Sequence, residues 1–596
     1  MTSRRITPQT TLDNLKREAK RWLKALRSNA ADARARLDRA LQNAPDVPTL
    51  RDIQHALAIE HGLQGWSELK ARVGDRATSK AEHARLVDWF LENACPDHHV
   101  RGGPAHVRAQ HTALRLLDHY PELATDTFYT SVVCGGREEV ERALMAHPEL
   151  AAAKSSAPSD ARSNAGRMGD LNRDFGPKGW EPLLYLCFTR LPLQSVDDNA
   201  VAVARALLDR GADPNVYFMA GSSRYTPMVG AIGEGEEERA PHQHRDALVR
   251  LLLERGAYPY DVQVLYNIHF RADVLWFFEL IYEHSVKLGR KADWDDPNWS
   301  MLGMGGYGPG AHYWLGVAIG KNNLELAEWI LAHGASPNVA ESTHPKFRPR
   351  SLHELALRHG FTEMADFLLR HGAVPSGYVP DERARFVQAC LRLDRAEVER
   401  ALSEHPEWRQ STDAIFEAAR RDRADVIAML LDLGVSPDVA TPKNERALHY
   451  AAYHDSLAAA AILIERGAEI DPVESDWSNT PLGGAVYAQH TRMIEFLGRY
   501  SRDIWELAFV GNVERLRELF AAHPELARTQ AEGHTPLMWL PTDSEARAIE
   551  VARLFLEHGA DPTVRSKDNA TAADRAERLG MFDLAELLRS SAASIP

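Results

Sequence analysis

The sequence predicts an all-α protein in which short helix pairs are stacked one after another along a single array. One phrase, a leucine-rich helix followed by Gly-Ala or Gly-Val, recurs through the chain. The chain has 596 residues, and single hydrophobic cores stop growing beyond about 250–300 residues. Since 44% of the residues are hydrophobic and 26% are charged, the composition excludes a mostly disordered protein. These observations favour a repeat array, whose core grows unit by unit.

The recurring units end with one of two helix stops. In the first, a glycine directly after the helix takes the left-handed conformation at little cost. The glycines of this kind are Gly211, Gly256, Gly334, Gly372, Gly434, Gly467 and Gly559. The second stop is His-Pro-Glu or a close variant, at residues 119–123, 147–150, 405–408 and 523–526.

Helix starts are predicted at three threonine–proline pairs, which begin at Thr226, Thr480 and Thr535. The threonine side chain can cap the helix, and proline suits the first helical turn. A short helix is therefore expected after each pair, followed by the longer leucine-rich helix of the same unit.

The residues Ala447-Leu-His-Tyr-Ala-Ala452 resemble the ankyrin signature Thr-Pro-Leu-His-x-Ala-Ala, with alanine in place of the proline. A second degenerate copy is Ser351-Leu-His-Glu-Leu-Ala356, and Gly434 and Gly467 lie one ankyrin period of 33 residues apart. The resemblance extends over roughly residues 80–590 and is to bacterial ankyrin-repeat proteins with a helical leader. It implies an ankyrin-type α-solenoid of about twelve to fourteen helix pairs, stacked in a curved array with hairpin-like loops.

The predicted organisation has three parts. Residues 1–75 form a helical N-terminal cap, residues 76–380 form degenerate repeats with long insertions, and residues 381–596 continue the same array. The first 40 residues carry a net charge of +7, whereas the whole chain carries −14. The basic helix at the start could alternatively bind a membrane surface or a partner.

Three polar or glycine-rich segments interrupt the repeat rhythm, at residues 154–182, 216–245 and 286–314. Long irregular loops are unusual in compact arrays and are often functional. Loops of ankyrin-type arrays project to one side, so these insertions are expected to meet over the concave face.

Aromatic, imidazole and carboxylate side chains are concentrated in and around these insertions. A flat apolar ring beside a directional acceptor suits a sugar, an aromatic or a cationic ligand. The candidate ligand-binding residues are Trp180, His242, His244, Tyr266, Asn267, His269, Trp294, Asp295, Asp296, Trp299, His312, Tyr313 and Trp314. The alternative is that the aromatic residues hold the long loops onto the array.

Metal and catalytic patterns are weak. His242, His244 and His269 could supply three imidazoles to zinc or iron, and a second rough cluster surrounds Cys95. The pair His242 and His244 precedes a helix, which favours capping or solvent exposure, and the cluster around Cys95 lacks a repeated ligand pair. No metal site is therefore predicted. Asp293 and Asp295 could act as an acid and a base, but acidic residues before proline commonly form turns. The glycine run at 303–308 follows no strand, so no catalytic residue and no cofactor are predicted.

The sequence thus predicts a non-catalytic scaffold that binds protein partners through its concave surface and insertion loops. Nucleic-acid binding is not expected because of the acidic charge. No membrane-spanning segment is predicted, and four dispersed cysteines fit a reducing cytoplasm. The alternative is an enzyme, or a protein that binds a sugar or aromatic ligand, with a His/Asp/Trp-lined pocket in residues 154–314. Neither the oligomeric state nor the identity of the partner is predicted.

Overall fold

A computed structural model describes most of the chain. The described residues are 12–28, 30–41, 44–63, 65–66, 69, 80–97, 100, 103–154, 178–220, 223–233, 235, 239–269, 274–295, 310–338, 351–531 and 533–593. The structure is mostly helical, as the sequence predicts.

The first three helices form a small unit with its own core. They are α1 (Leu12–Arg27), α2 (Ala31–Ala40) and α3 (Leu50–Glu60). Their contact buries Leu23, Ile53 and Leu57. Arg36 donates to Glu60 at 2.7 and 2.6 Å and to Glu18 at 2.7 Å, and so ties α2 to both neighbours. That this unit caps the array stays a prediction.

Sixteen further helices and a β-hairpin lie between residues 80 and 370 of the described chain. They are α4 (Lys80–Ala94), α5 (Gly103–His119), α6 (Leu123–Asp126), α7 (Phe128–Val133), α8 (Arg137–Ala146), α9 (Pro182–Phe188), α10 (Gln194–Asp209), α11 (Pro227–Ile232), α12 (Arg245–Glu254), α13 (Val262–Ile268), α14 (Leu275–Lys287), α15 (Lys291–Asp295), α16 (Gly310–Gly320), α17 (Leu324–Ala332), α18 (Leu352–Arg358) and α19 (Thr362–Arg370). The strands β1 (Phe218–Ala220) and β2 (Ser223–Tyr225) pair antiparallel, with Met219 opposite Arg224.

The remaining helices follow a more regular spacing. They are α20 (Glu382–Leu391), α21 (Arg395–Glu404), α22 (Asp413–Arg420), α23 (Ala424–Asp432), α24 (Ala447–Tyr453), α25 (Leu457–Glu465), α26 (Pro481–Tyr487), α27 (Thr491–Leu497), α28 (Ile504–Val510), α29 (Val513–Ala522), α30 (Glu545–Glu557), α31 (Ala572–Arg578) and α32 (Phe582–Ala592). Short 3-10 helices lie at Pro148–Ala152, Pro406–Gln410, Pro524–Arg528 and Pro536–Met538.

The helices pack in two parallel rows of nearest neighbours. The short helices α22, α24, α26 and α28 each contact the next one, and each also contacts the longer helix that follows it. Leu448, Ala451 and Ala485 are completely or almost completely buried between these short helices. The buried apolar residues form two large cores, one ending at Ala373 and the other beginning at Phe386. Each unit therefore buries its apolar faces against its immediate neighbours.

Both predicted helix stops are confirmed. Gly434 and Gly467 have φ angles of 87° and 85°, in the left-handed region that a side chain would disfavour. At His405 the longer helix α21 ends, and Pro406 opens a 3-10 helix that carries the chain to the next unit. The imino ring cannot donate the hydrogen bond that would continue an α-helix.

Two of the three predicted helix starts form capped α-helices. The hydroxyl of Thr226 accepts from the amide of Val229, and that of Thr480 accepts from Gly483. Thr535 instead precedes a three-residue 3-10 helix and makes no capping bond.

The prediction of an irregular loop over residues 216–245 is wrong for about half of that segment. It contains both strands and the helix α11, so the chain is not purely α-helical. The helix begins at the predicted Thr226-Pro227 start, and all six of its residues are buried. The two strands have three residues each, too few for an alternating pattern to be read from the sequence. In residues 286–314, Lys291–Asp295 is helical. Residues 155–177 and 296–309 of the other insertions lie outside the described residues.

Helices α4 and α5 contact the C-terminal part of the chain. Arg115 of α5 donates from Nε to the carbonyl of Leu579 at 2.8 Å and from Nη1 to that of Thr542 at 2.7 Å. Phe582 lies edge-on to Trp89 of α4 and to His119 of α5. Helix α5 also contacts α26. Arg115 and Leu579 are 464 residues apart in the sequence.

Within the described residues, no helix combines the length and the apolar character that crossing a lipid bilayer requires.

The close approach of α9 and α11 gives a test of the packing. A Cβ atom on Gly230 would lie 2.4 Å from Cδ2 of Phe188, whereas one on Gly484 of α26 would meet open space. We expect Gly230→Ala to lower the free energy of unfolding by about 1–3 kcal/mol through overpacking. The matched variant Gly484→Ala should be neutral or stabilising by up to about 1 kcal/mol. Urea unfolding monitored by circular dichroism measures both, and equal destabilisation of the two variants would contradict this packing.

Candidate functional site

Two neighbouring loops form the best-defined exposed feature of the C-terminal stretch. One joins α23 to α24 and the other joins α25 to α26. Ser475 donates its amide to the carbonyl of Lys443 at 2.9 Å, and the side chain of Asn444 donates to the carbonyl of Val473 at 2.8 Å. An ion pair between Lys443 and Asp476 also joins the loops. We call residues 441–446 and 472–479 the tip surface.

The second loop holds its shape through one carboxylate. Glu474 is buried and accepts hydrogen bonds from the backbone amides of Asp476, Trp477 and Asn479 at 2.7–3.2 Å. Hydrogen bonds from backbone amides to a carboxylate are among the stronger ones in proteins. They fix the backbone on both sides of Trp477, while the indole itself remains 86% exposed.

His449 connects the tip surface to the helices beneath it. Its Nδ1 accepts from the amide of Arg446 at 3.1 Å, so the proton of a neutral ring lies on Nε2. Nε2 then donates to the carbonyl of Pro472 at 3.0 Å. Burial lowers the pKa of this histidine and favours the neutral ring. The histidine of the ankyrin-like signature is therefore a link between adjacent units.

The tip surface exposes an apolar group that folding does not require. Trp477 and Val473 are 86% and 51% exposed. Lys443 and Asp476 flank them with opposite charges. Large aromatic residues surrounded by polar groups are typical anchors of protein interfaces. Trp477 is not among the residues predicted from the sequence, where the available signal was a tryptophan within a polar stretch between two repeat units.

The predicted ligand-binding histidines His242 and His244 lie between α11 and α12. His242 is buried and its Nδ1 accepts from the amide of His244 at 3.0 Å, while its Nε2 has no hydrogen-bond partner. Burial, and secondarily Arg190, holds the pKa of His242 well below its usual value. His244 Nε2 lies 3.1 Å from a carboxylate oxygen of Asp197.

The predicted residues Tyr266, Asn267 and His269 lie on or just after α13. Asn267 is buried and donates to the carbonyl of Gly233 at 3.2 Å. The ring of His269 lies 5.0 Å from that of Tyr266 and 6.5 Å from that of Tyr313, another predicted residue. These side chains thus connect α13 to its neighbours.

The three predicted tryptophans that the structure describes lie in the protein core. Trp314 is completely buried against Phe278, with ring centroids 4.7 Å apart. Trp294 is buried and donates from its indole nitrogen to the carbonyl of His333. Trp180 stacks on Phe218 of the hairpin at 4.4 Å. These contacts are of the kind expected if the aromatic residues hold loops onto the array.

Four of the predicted residues lie wholly or partly outside the described part of the chain. Asp296 and Trp299 lie outside the described residues, as do the side chains of Asp295 and His312. The other candidates lie around the hairpin, α11–α12, α13 and the α14–α16 core, and the contact of His269 with Tyr313 connects the last two groups. Binding of a small ligand by this set stays a prediction.

No group of three or more His, Cys, Asp or Glu side chains that could hold a metal ion lies among the described residues. In the rough cluster near Cys95, that cysteine and His106 are buried. Burial, with the nearby Arg239 and Arg190, lowers the pKa of His106 to about 3.

Comparison with known proteins identifies ankyrin repeats in the part of the chain that carries the tip surface. The family model for ankyrin repeats matches residues 415–508 with three copies, and supports an ankyrin-repeat protein. Over 162 residues the chain is 26% identical to the potassium channel GORK of Arabidopsis thaliana, a match that covers 25% of this chain and 20% of the channel. The chain thus spans about a fifth of the length of this curated relative.

The segment matched by the ankyrin family model, residues 415–508, contains an unusual buried carboxyl group. Glu506 lies on α28, and its Oε2 is buried without a hydrogen-bond partner. Burial, helped by the nearby Asp503, raises the pKa of Glu506 to about 7. The carboxyl is therefore protonated in the folded protein at pH values where a free glutamate is ionised.

This pKa shift predicts a specific pH dependence. Below pH 4.5 the carboxyl is mostly protonated in both folded and unfolded states, so its ionisation costs no stability. Stability then falls as the pH rises from 4.5 to about 7, and the loss is constant above that. We expect Glu506→Gln to raise the melting temperature relative to the wild type at pH 8 but much less at pH 5. The exposed Glu495→Gln on α27 is the control, and a Glu506→Gln effect independent of pH would contradict the shift.

Proposed function

We propose that this protein is a non-catalytic scaffold that binds a protein partner, and that the tip surface is part of the binding site. The ankyrin repeats at residues 415–508 support a role in protein–protein interaction. The observation that carries the finer proposal is the 86% exposed Trp477 on a loop whose backbone is fixed by Glu474.

A pre-organised loop lowers the entropic cost of binding. The amide bonds to Glu474 and the links to Lys443 and Asn444 order the loop before any partner arrives. The ordering cost has then already been met during folding, so more of the contact energy appears as affinity. A partner that covers the indole with an apolar pocket would bury most of its surface.

The scaffold proposal includes the features expected from the sequence. The repeats would continue over residues 76–596, with residues 1–75 as a cap, and the protein would act in the cytoplasm of a bacterium. The concave surface and the insertion loops would add to the interface. Helix α5 lies against α26 and against the turn at Thr542. These contacts cover part of the helices of the last repeats, so the tip surface is the more accessible of the two to a partner.

The contribution of the tip surface is tested by Trp477→Ala. A partner is first isolated by affinity capture with the wild-type chain and identified, and its dissociation constant is then measured with purified proteins. We expect the substitution to weaken binding about tenfold or more, as for a buried aromatic anchor.

The control is Met145→Ala, which removes another exposed apolar side chain, 68% exposed on α8, far from the tips in sequence. It should bind as the wild type does. If Trp477→Ala also binds normally, the tip surface is not part of the interface.

A further inference from the structure

A small cavity lies where α5 meets the last repeats. Its volume is about 40 Å³, and about 10–15 Å³ is enough to hold one water molecule. It therefore has room for a group of a few atoms. Arg108 of α5 and Arg575 of α31 line it, together with apolar side chains that include Phe509, Leu537 and Met581.

Arg115, two turns further along α5, holds this helix over the cavity. Arg115 follows Arg108 by seven residues and so lies on the same helix face. It donates to the carbonyls of Leu579 and Thr542, two residues that also line the cavity. The remaining guanidinium nitrogen, Nη2, is buried without a hydrogen-bond partner.

The cavity has an unbalanced positive charge. Arg108 makes no ion pair or side-chain hydrogen bond with any described residue. Across the cavity, Arg575 lies 3.6 Å from Asp568, which also pairs with Arg578 at 3.2 Å. Burial lowers the pKa of Arg108, and the positive charge of Arg575 lowers it further. Two guanidinium groups thus line a partly open cavity whose other described lining residues carry no charge.

We infer that this cavity is a binding site for a small oxyanion, a phosphate or a carboxylate group, held between Arg108 and Arg575. A guanidinium group presents paired N–H donors that match the spacing of two oxygens on a carboxylate or phosphate. The apolar side chains around the two arginines lower the local dielectric and so strengthen their interaction with an anion. A bound anion removes the repulsion between the two arginines.

The site also has a structural consequence. Arg108 belongs to the beginning of the array and Arg575 to its end, so an anion that contacts both joins the two ends. Oxyanion binding therefore stabilises the contact that Arg115 makes with Leu579 and Thr542. This inference does not depend on the proposed protein partner.

The test uses the full-length chain and inorganic phosphate, with acetate in a second series to distinguish a phosphate from a carboxylate. Thermal unfolding and calorimetric titration are measured in a buffer free of oxyanions. We expect at least one of the two anions to bind the wild type. Arg108→Gln should increase the dissociation constant about tenfold or more, because it removes charge-assisted hydrogen bonds.

The substitution should not impair folding, since it removes an uncompensated charge. Without added anion, Arg108→Gln is expected to melt at the same temperature as the wild type or higher. Phosphate also stabilises proteins non-specifically, so the melting shift is compared between variants. Arg575→Gln should lose the anion-dependent part of the shift as well.

The control is Arg205→Gln, which removes an exposed arginine of α10. It should keep the full response to the anion. The inference is overturned if neither anion binds the wild type, if Arg108→Gln binds as tightly as the wild type, or if Arg205→Gln weakens binding equally.

Discussion

The structure depends on one constraint, which is that no helix pair can bury its apolar faces alone. The short helices carry only seven or eight residues in most C-terminal units, too few to be stable in isolation. Their small residues, such as Ala451 and Ala485, are fully buried because the next unit covers them. Every other feature, including the loops and the contact between the ends, is positioned by this nearest-neighbour packing.

The same constraint explains why the connections are so stereotyped. A unit must turn sharply after its longer helix so that the next short helix returns to the stack. Gly434 and Gly467 do this with a left-handed residue, whereas Pro406 and Pro524 do it with a 3-10 helix. Both solutions keep the units in register, and the loops that follow are therefore brought side by side.

A stack of helix pairs leaves an uncovered face at each end, and here α4 and α5 lie against the C-terminal part of the chain. Arg115 and Phe582 are central to the contact, which combines hydrogen bonds to carbonyl groups with aromatic packing. The contact also carries a cost, because Arg108 and Arg575 are held near each other. A contact that is attractive at one point and repulsive at another responds to anything that neutralises the repulsion.

The candidate site was only partly accessible to sequence reasoning. The ankyrin-like signature led to His449, and the structure shows this residue linking the loops on which Trp477 is exposed. The insertions were predicted to contain ligand-binding residues because they carry many aromatic side chains. Trp294 and Trp314 are packed in the core. The sequence shows where tryptophans are concentrated, but not whether each one is buried or exposed.

From the sequence alone, the helical units, both kinds of helix stop and the helix starts at Thr226 and Thr480 were predictable, because glycine, proline and threonine act on the backbone within a few residues. The hairpin that precedes Thr226 was not, because its strands of three residues are too short for a period to be read. That Arg108 and Arg575 line one cavity, and that Arg115 reaches Leu579, follows from the tertiary structure alone. The reason is physical: Arg115 and Leu579 are 464 residues apart in the sequence, so their contact depends on the summed geometry of the elements between them.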